Sequence, residues 1–355
     1  MAIYVYRHKR SKWSKAPNGL KLQMVKGRII MNNTTSCDTT WEPGYVIVPT
    51  VYSVVAVIGL VGNVLGLVTI LPQLRQSNVL SIYLFNLCLS DLLFIVTLPV
   101  WIDYTANNDD WSFDGPTCKL AAFLFYTNMY TGICFLCCIS VDRFLVVRFP
   151  VRSRALRTTK CAAAVCVAVW VSVFLGHIPF LLYAASLIDR DNDILCYERF
   201  PLPLWAAHDN LCKICVFLLP LAIITYCYVS IIKVVRTCRS INGIERTRIT
   251  RLVTTMITIF IACFMPYHVV MLLRTVVNEH GTLDCAFEKA IYPAYKVTVA
   301  IASVNSALDP LLNVFSAGTS REDFRQGLIK CSTRSSLMKE CYPHCLHNQI
   351  AMAAL

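Results

Sequence analysis

The chain has 355 residues, 56% of them hydrophobic and 15% charged, with a mean hydropathy of +0.55 and a formal net charge of +12. So few charges exclude an ordinary soluble domain. Beyond residues 1–30 the positive surplus lies in alternate connections between apolar stretches and in the tail, a distribution set by topology rather than by a nucleic-acid footprint.

Residues 1–30 hold eight basic residues and no acid, and they lack the apolar core of a signal peptide. Met31 follows, and Asn32 and Asn33 open overlapping Asn-x-Ser/Thr glycosylation sequons. The expectation is a chain that starts at Met31, with residues 1–30 an upstream extension of an extracellular segment 1–44. Seven apolar stretches come next, roughly Val46–Leu71, Val79–Ile102, Leu120–Val141, Ala162–Ala185, Leu211–Ile232, Leu252–Leu273 and Ala290–Val314. About 20 helical residues cross a hydrocarbon core of about 30 Å, and each stretch has that length. Lipid offers the backbone no hydrogen-bond partners, so each is predicted to be a helix. The predicted fold is an all-α membrane protein, a seven-transmembrane helix bundle over 45–317. A short amphipathic eighth helix and a cytoplasmic tail follow over 318–355.

The connections alternate in charge. Arg143, Arg148, Arg152, Arg154, Arg157 and Lys160 follow the third stretch, Lys233, Arg236, Arg239, Arg246, Arg248 and Arg251 follow the fifth, and Arg321, Arg325 and Lys330 follow the seventh. The other connections carry Asp103, Asp109, Asp110, Asp114, Asp189, Asp191, Asp193, Glu198, Glu279, Asp284 and Glu288. Arginine and lysine stay on the cytoplasmic side, which predicts an extracellular N-terminus and a cytosolic tail. Of eighteen cysteines, four fall outside by this topology: Cys37, Cys118, Cys196 and Cys285. Four cysteines allow three pairings, and their spacing does not choose among them. Cys331 follows an amphipathic stretch containing Phe324, Leu328 and Ile329, which marks it for palmitoylation at a membrane-surface helix.

Polar residues inside the stretches carry the functional reading, because ionisable groups at membrane depth are costly. Asp91 and Asp309 lie in the middle-to-inner third of their spans, with Asn63, Asn305 and Ser306 as hydrogen-bonding company. Two close carboxylates would share a proton or a cation and titrate as a pair. Asp142 and Arg143 end the third span about 37 Å along the helix from Cys118, with the acid placed to hold the arginine. Pro220, Pro266 and Pro310 each remove a helix hydrogen bond and permit a hinge.

Asn63 in Gly62-Asn63-Val64, Asp91 in Leu89-Ser90-Asp91-Leu92, Asp142-Arg143-Phe144, Trp170, Pro220, Cys263-Phe264-Met265-Pro266 and Asn305-Ser306-Ala307-Leu308-Asp309-Pro310 appear in order along the spans. This ordered set resembles the signature of rhodopsin-like G-protein-coupled receptors and touches every span. Longer runs resemble the proton-sensing and lysolipid-linked group: Thr97–Tyr104, Phe135–Arg143, Cys196–Pro201 and Pro266–Val270. The resemblance implies a Cys118–Cys196 bridge and, in this branch, Cys37–Cys285. It implies a plasma-membrane receptor for which Asp142, Arg143, Phe264, Pro266, Asp309, Pro310 and Asn313 form the activation switch. A sodium ion is implied beside Asn63, Asp91, Asn305, Ser306 and Asp309. The chain departs from the pattern at Phe264, Asn313, Phe144 and Gly132, where tryptophan, tyrosine, tyrosine and a hydroxyl are usual.

The sensed agent is read as the extracellular proton, with His177, His208, His268 and His280 the outward-facing histidines, His208 and His268 the better placed, and Glu198 a further candidate. Lys296 and Val173 stand where acid-sensing members carry histidine and a buried glutamate. Arg274 and Lys296 support an alternative: two positive charges turned to the outer cavity suit a lysophospholipid, a fatty-acid-like molecule or another small anionic ligand. A solute transporter would show internal repeats, and an opsin needs a lysine where Ser303 stands. The expected partners are a heterotrimeric G protein and membrane lipid, with no nucleic acid, metal, cofactor or enzymatic activity.

Overall fold

The computed structural model describes residues 41–149, 151–183, 187–190, 193–196, 204–238, 243–279 and 285–311, together with the backbone of three short N-terminal strands. Those strands, β1 (Ser14–Lys15), β2 (Lys21–Val25) and β3 (Arg28–Asn32), pair antiparallel in sequence order. Cys37, Asn33, Glu198, His280, Asn313, Cys331, the side chain of Asn32 and the expected eighth helix lie outside the described residues.

The bundle begins with α1 (Gly44–Arg75). The second span is two helices, α2 (Val79–Ile95) and α3 (Leu98–Ala106), rather than the continuous one expected. Pro99, in the first turn of α3, cannot donate to the carbonyl of Ile95, so the ladder breaks there. The Thr97 hydroxyl covers the step by donating to the Phe94 carbonyl at 2.7 Å. The third span, α4 (Gly115–Arg148), starts where Asp114 accepts from the Thr117 amide at 2.9 Å, an N-cap with Pro116 in the first turn after it. A single turn, α5 (Ser153–Leu156), leads to α6 (Thr159–Tyr183) and the hairpin β4 (Leu187–Arg190) and β5 (Asp193–Cys196). The fifth and sixth spans are α7 (Leu204–Thr237) and α8 (Gly243–Glu279), with Pro220 and Pro266 inside them. The seventh is α9 (Cys285–Ser303) continued by α10 (Asn305–Leu308).

Six of these segments are long and apolar enough to cross a membrane. The seventh has shorter helical pieces and carries Glu288, Lys289 and Lys296. All seven pack side by side, α1 against α2, α9 and α10, α2 against α4 and α6, and α4 through α7 and α8 round to α9. Val57, Val61, Leu65 and Val68 on α1 are each more than half exposed, an apolar outer surface that only lipid accommodates. The interior is aromatic, with Phe217, Phe260, Phe264, Tyr130 and Tyr267 in one buried cluster between α4, α7 and α8.

Candidate functional site

At mid-depth, Pro310 decides the first contact. Lacking an N–H, it leaves the Ser306 carbonyl without its helical donor. Asn63 on α1 fills the gap, its Nδ2 donating to the Ser306 carbonyl and to the Gly59 carbonyl at 2.9 Å each. Asn128 on α4 then ties three spans together. Its Nδ2 donates to Asp91 Oδ1 at 3.0 Å, and its Oδ1 accepts from the Ser306 hydroxyl at 3.2 Å. Ser90 and Thr131 pair their hydroxyls alongside. Asn305 Nδ2 donates to Asp309 Oδ2 at 2.7 Å. Asn63, Asp91 and Ser306 are thus linked through Asn128, and the Asn305–Asp309 pair is buried beside them.

The two acids are held by different amides, though each lies in the electrostatic field of the other. Asn63 Oδ1, Asp91 Oδ2 and Asn305 Oδ1 are buried acceptors with no protein donor among the described residues. That set suits water or a proton. Gly132, where an added Cβ would sit 3.8 Å from Asn305 Nδ2, itself offers a sodium ion no side-chain oxygen, while Asn128 Oδ1 and the Thr131 hydroxyl of the same span are already hydrogen-bonded. Toward the arginine-rich end lies a cavity with about 20 Å³ of room for water, lined by Ser140, Tyr228, Met256, Asn305 and Asp309 among others.

At the arginine-rich end the expected pairing is rearranged. Arg157 donates its Nε to Asp142 Oδ1 at 2.6 Å and its Nη2 to Asp142 Oδ2 at 3.1 Å. Arg143 stands farther off, Nη2 to Oδ2 at 3.8 Å. A guanidinium fork matched to both carboxylate oxygens is the stronger contact, so the loop arginine displaces the neighbour in sequence.

At the opposite, disulfide end, Cys118 is bonded to Cys196, a link spanning 78 residues that ties β5 to the start of α4. Cys285 is also disulfide-bonded. Inside this end His268 is buried. Its Nδ1 donates to the Phe264 carbonyl at 2.8 Å, its ring stacks on Phe217 at 3.9 Å, and the Tyr130 hydroxyl is 3.5 Å from Nε2. His177 approaches the Tyr130 ring from α6 at 5.5 Å between centroids, its Nδ1 on the Val173 carbonyl and its buried Nε2 without a hydrogen-bond partner among the described residues. His208 is exposed at the start of α7, apart from this cluster.

Arg274 and Lys296 do not present open positive charge as expected. Arg274 Nε and Nη2 donate to Glu288 at 3.2 and 3.3 Å, with the guanidinium over the Tyr295 ring. Lys296 Nζ donates to Asp109 Oδ1 at 2.7 Å, and the Tyr292 hydroxyl donates to Asp109 Oδ2 at 2.6 Å. Arg274, Glu288, Lys296, Asp109 and Tyr292 are all buried. Asp109 reaches inward because Asn108 and Asp109 both take left-handed backbone, φ 58° and 59°, which short polar side chains tolerate.

Asn128, Asp109, Glu288, Tyr292 and Arg157 are the residues whose roles sequence reasoning missed. An asparagine one turn before Gly132 in an apolar span, and two cations needing counter-charges, were the available signals.

The pattern described as 7 transmembrane receptor (rhodopsin family) matches residues 62–312. G-protein coupled receptor 68 of Mus musculus is 34% identical over 319 residues, 88% of this chain and 86% of that one. G-protein coupled receptor 65 of Homo sapiens is 34% identical over 310 residues, 85% of this chain and 92% of that one. Lysophosphatidic acid receptor 6 of Gallus gallus is 32% identical over 300 residues, 81% of this chain and 96% of that one. With the seven-helix bundle and the Asn63–Asp91–Asp309 network already in place, the chain belongs to the rhodopsin family of seven-transmembrane G-protein-coupled receptors.

Proposed function

We propose that this receptor sits in the plasma membrane with its N-terminus outside, responds to extracellular protons, and activates a heterotrimeric G protein. On this reading 45–317 is the receptor domain, the disulfide end faces the extracellular medium, and 318–355 is a cytosolic eighth helix and tail. Asp142, Arg143, Phe264, Pro266 and Asp309 carry the switch.

The observation that carries the reading is the pair of buried histidines on either side of Tyr130. Each donates through Nδ1 to a carbonyl one turn back, so each neutral ring presents Nε2 as an acceptor. A proton on His268 Nε2 converts that acceptor into a donor, and the Tyr130 hydroxyl must turn to accept. The resulting cation also faces Phe217 and lies one turn from Phe264, beside the hinge at Pro266. Moving a two-state receptor from 1:99 to 99:1 takes about 5.5 kcal/mol. One group whose affinity for a proton changes tenfold between states supplies about 1.4 kcal/mol. The two histidines and the Asp91–Asp309 network therefore act together.

A second reading, an anionic lipid ligand, draws on the lysophosphatidic acid receptors among the relatives. Its headgroup would have to displace Glu288 from Arg274 or Asp109 from Lys296.

The test is G-protein activation in cells between pH 8 and 6, comparing the wild type with His177→Phe and His268→Phe. Each variant is expected to flatten the rise, and the double variant most. Curves that overlay the wild type at equal surface expression would reject the histidine mechanism.

A further inference from the structure

The contact between Arg157 and Asp142 assigns a task to a residue that lies fifteen positions away in sequence and on another element. α4 ends at Arg148, and the chain turns back through α5, which places Arg157 just past its last residue. There the Arg157 amide donates to the Ser153 carbonyl at 2.9 Å, and the Ser153 amide donates to the Phe149 carbonyl at 2.9 Å. This folded-back turn aims the Arg157 guanidinium at the side of α4.

Asp142 is 4% exposed, so its carboxylate oxygens depend on protein donors for their hydrogen bonds. Arg157 supplies two, each in hydrogen-bonding geometry, while the Arg143 contact at 3.8 Å lies beyond it. The Arg143 side chain is 36% exposed against 24% for Arg157. The two arginines compete for one carboxylate, and in this structure the loop arginine holds it.

We propose that Arg157 is a positioning residue for G-protein activation, setting basal signalling by taking the Asp142 carboxylate in place of Arg143. Whatever raises Arg157 off Asp142 lets the acid close on Arg143 and quiets the receptor. The proposal rests on membership of the G-protein-coupled family and is independent of the proton reading. It concerns the exchange rate at constant pH.

The experiment is nucleotide exchange on purified heterotrimers by receptor in lipid nanodiscs at pH 7.4. Heterotrimers of the stimulatory, inhibitory, phospholipase-linked and Rho-linked classes are compared, using wild type, Arg157→Ala, Arg157→Lys, Asp142→Asn and the Asp142→Asn/Arg157→Ala double variant. Arg157→Ala is expected to slow exchange about tenfold, the equivalent of one charge-assisted hydrogen bond. Arg157→Lys, which keeps the charge and loses the fork, falls between. In the Asp142→Asn background, removing Arg157 is expected to change nothing, since the competition has ended.

Arg157→Ala exchange equal to or faster than wild type overturns the proposal. So does an equal fall in both backgrounds, which would mean that Arg157 touches the G protein directly. Should Arg157→Ala fail to reach the membrane, Arg157→Gln in both backgrounds makes the same comparison. A chain lacking receptor activity altogether would show wild-type exchange no faster than empty nanodiscs, and this also overturns the proposal.

Discussion

Replacing Lys296 by methionine removes a buried cation while keeping most of the side-chain volume. Asp109 is 1% exposed and Lys296 7%, with 2.7 Å between Nζ and Oδ1. At an effective dielectric constant of about 20, a pair at that distance attracts by about 6 kcal/mol before desolvation is subtracted. In Lys296→Met the acid stays buried with the Tyr292 hydroxyl as its donor, and breaking such a pair costs about 3–5 kcal/mol. Since about 2–4 °C accompanies each kcal/mol in chains of 150–250 residues, the thermal midpoint is expected to fall by at least about 6 °C. The double variant Asp109→Asn/Lys296→Met removes both charges, keeps a hydrogen-bonding group for Tyr292, and should recover more than half of the loss. The assay is thermal unfolding of purified receptor followed by tryptophan fluorescence. A Lys296→Met midpoint within about 2 °C of wild type would refute the reasoning. So would a double variant no more stable than the single one. Either result would return Lys296 to the role of a ligand-binding cation.

The remaining expectations rest on other contacts. A Cβ at Gly62 would sit 2.8 Å from Pro310 Cγ and 3.1 Å from its Cβ, so Gly62→Ala should cost about 1–3 kcal/mol by thermal unfolding. Gly176→Ala is the control, because nothing lies within 4 Å of its added methyl group. Cys118→Ser releases a link spanning 78 residues, worth about 4.5 kcal/mol of loop entropy, and surface expression should collapse. Asn128→Leu removes the donor to Asp91 and the acceptor of Ser306 together, and should lower the thermal midpoint more than Asn128→Gln or Asn128→Ser, which keep a donor and an acceptor. Equal loss across the three would show that packing, not hydrogen bonding, governs that site.

Spans and their order were legible because lipid forces hydrophobic runs of helical length, and the meeting of Asn63 with the seventh span follows from Pro310 once the bundle is assumed. The break between α2 and α3 had a visible cause in Pro99, yet the apolar run hides it, since hydropathy does not register a missing N–H. Partners between elements were the illegible part. Lys296 demands an acid, but eleven acids lie on the same face by the charge pattern, and Asp109 is selected by two left-handed residues that no periodicity signals. Arg157 was one of several basic residues in its connection, and only the turn of α5 separates it from the rest. Reading Asp142 with Arg143 followed the chain, whereas the fold supplied a better-shaped donor from the next loop. His177 and His268 were visible as residues and not as a pair, because their common neighbour Tyr130 belongs to a third helix.

Proton sensing itself is tested most directly by purified receptor alone. Wild-type receptor in nanodiscs of synthetic, lysophospholipid-free lipid would be mixed with the heterotrimer it couples to, and nucleotide exchange followed from pH 8 to 6 beside Arg143→Ala and empty nanodiscs. Exchange that rises steeply with falling pH in the wild type, and stays flat in both controls, is the expected result. A wild-type rate independent of pH, rising only when an anionic lysolipid is added, would contradict proton sensing and give the ligand role to the cavity of Arg274 and Lys296.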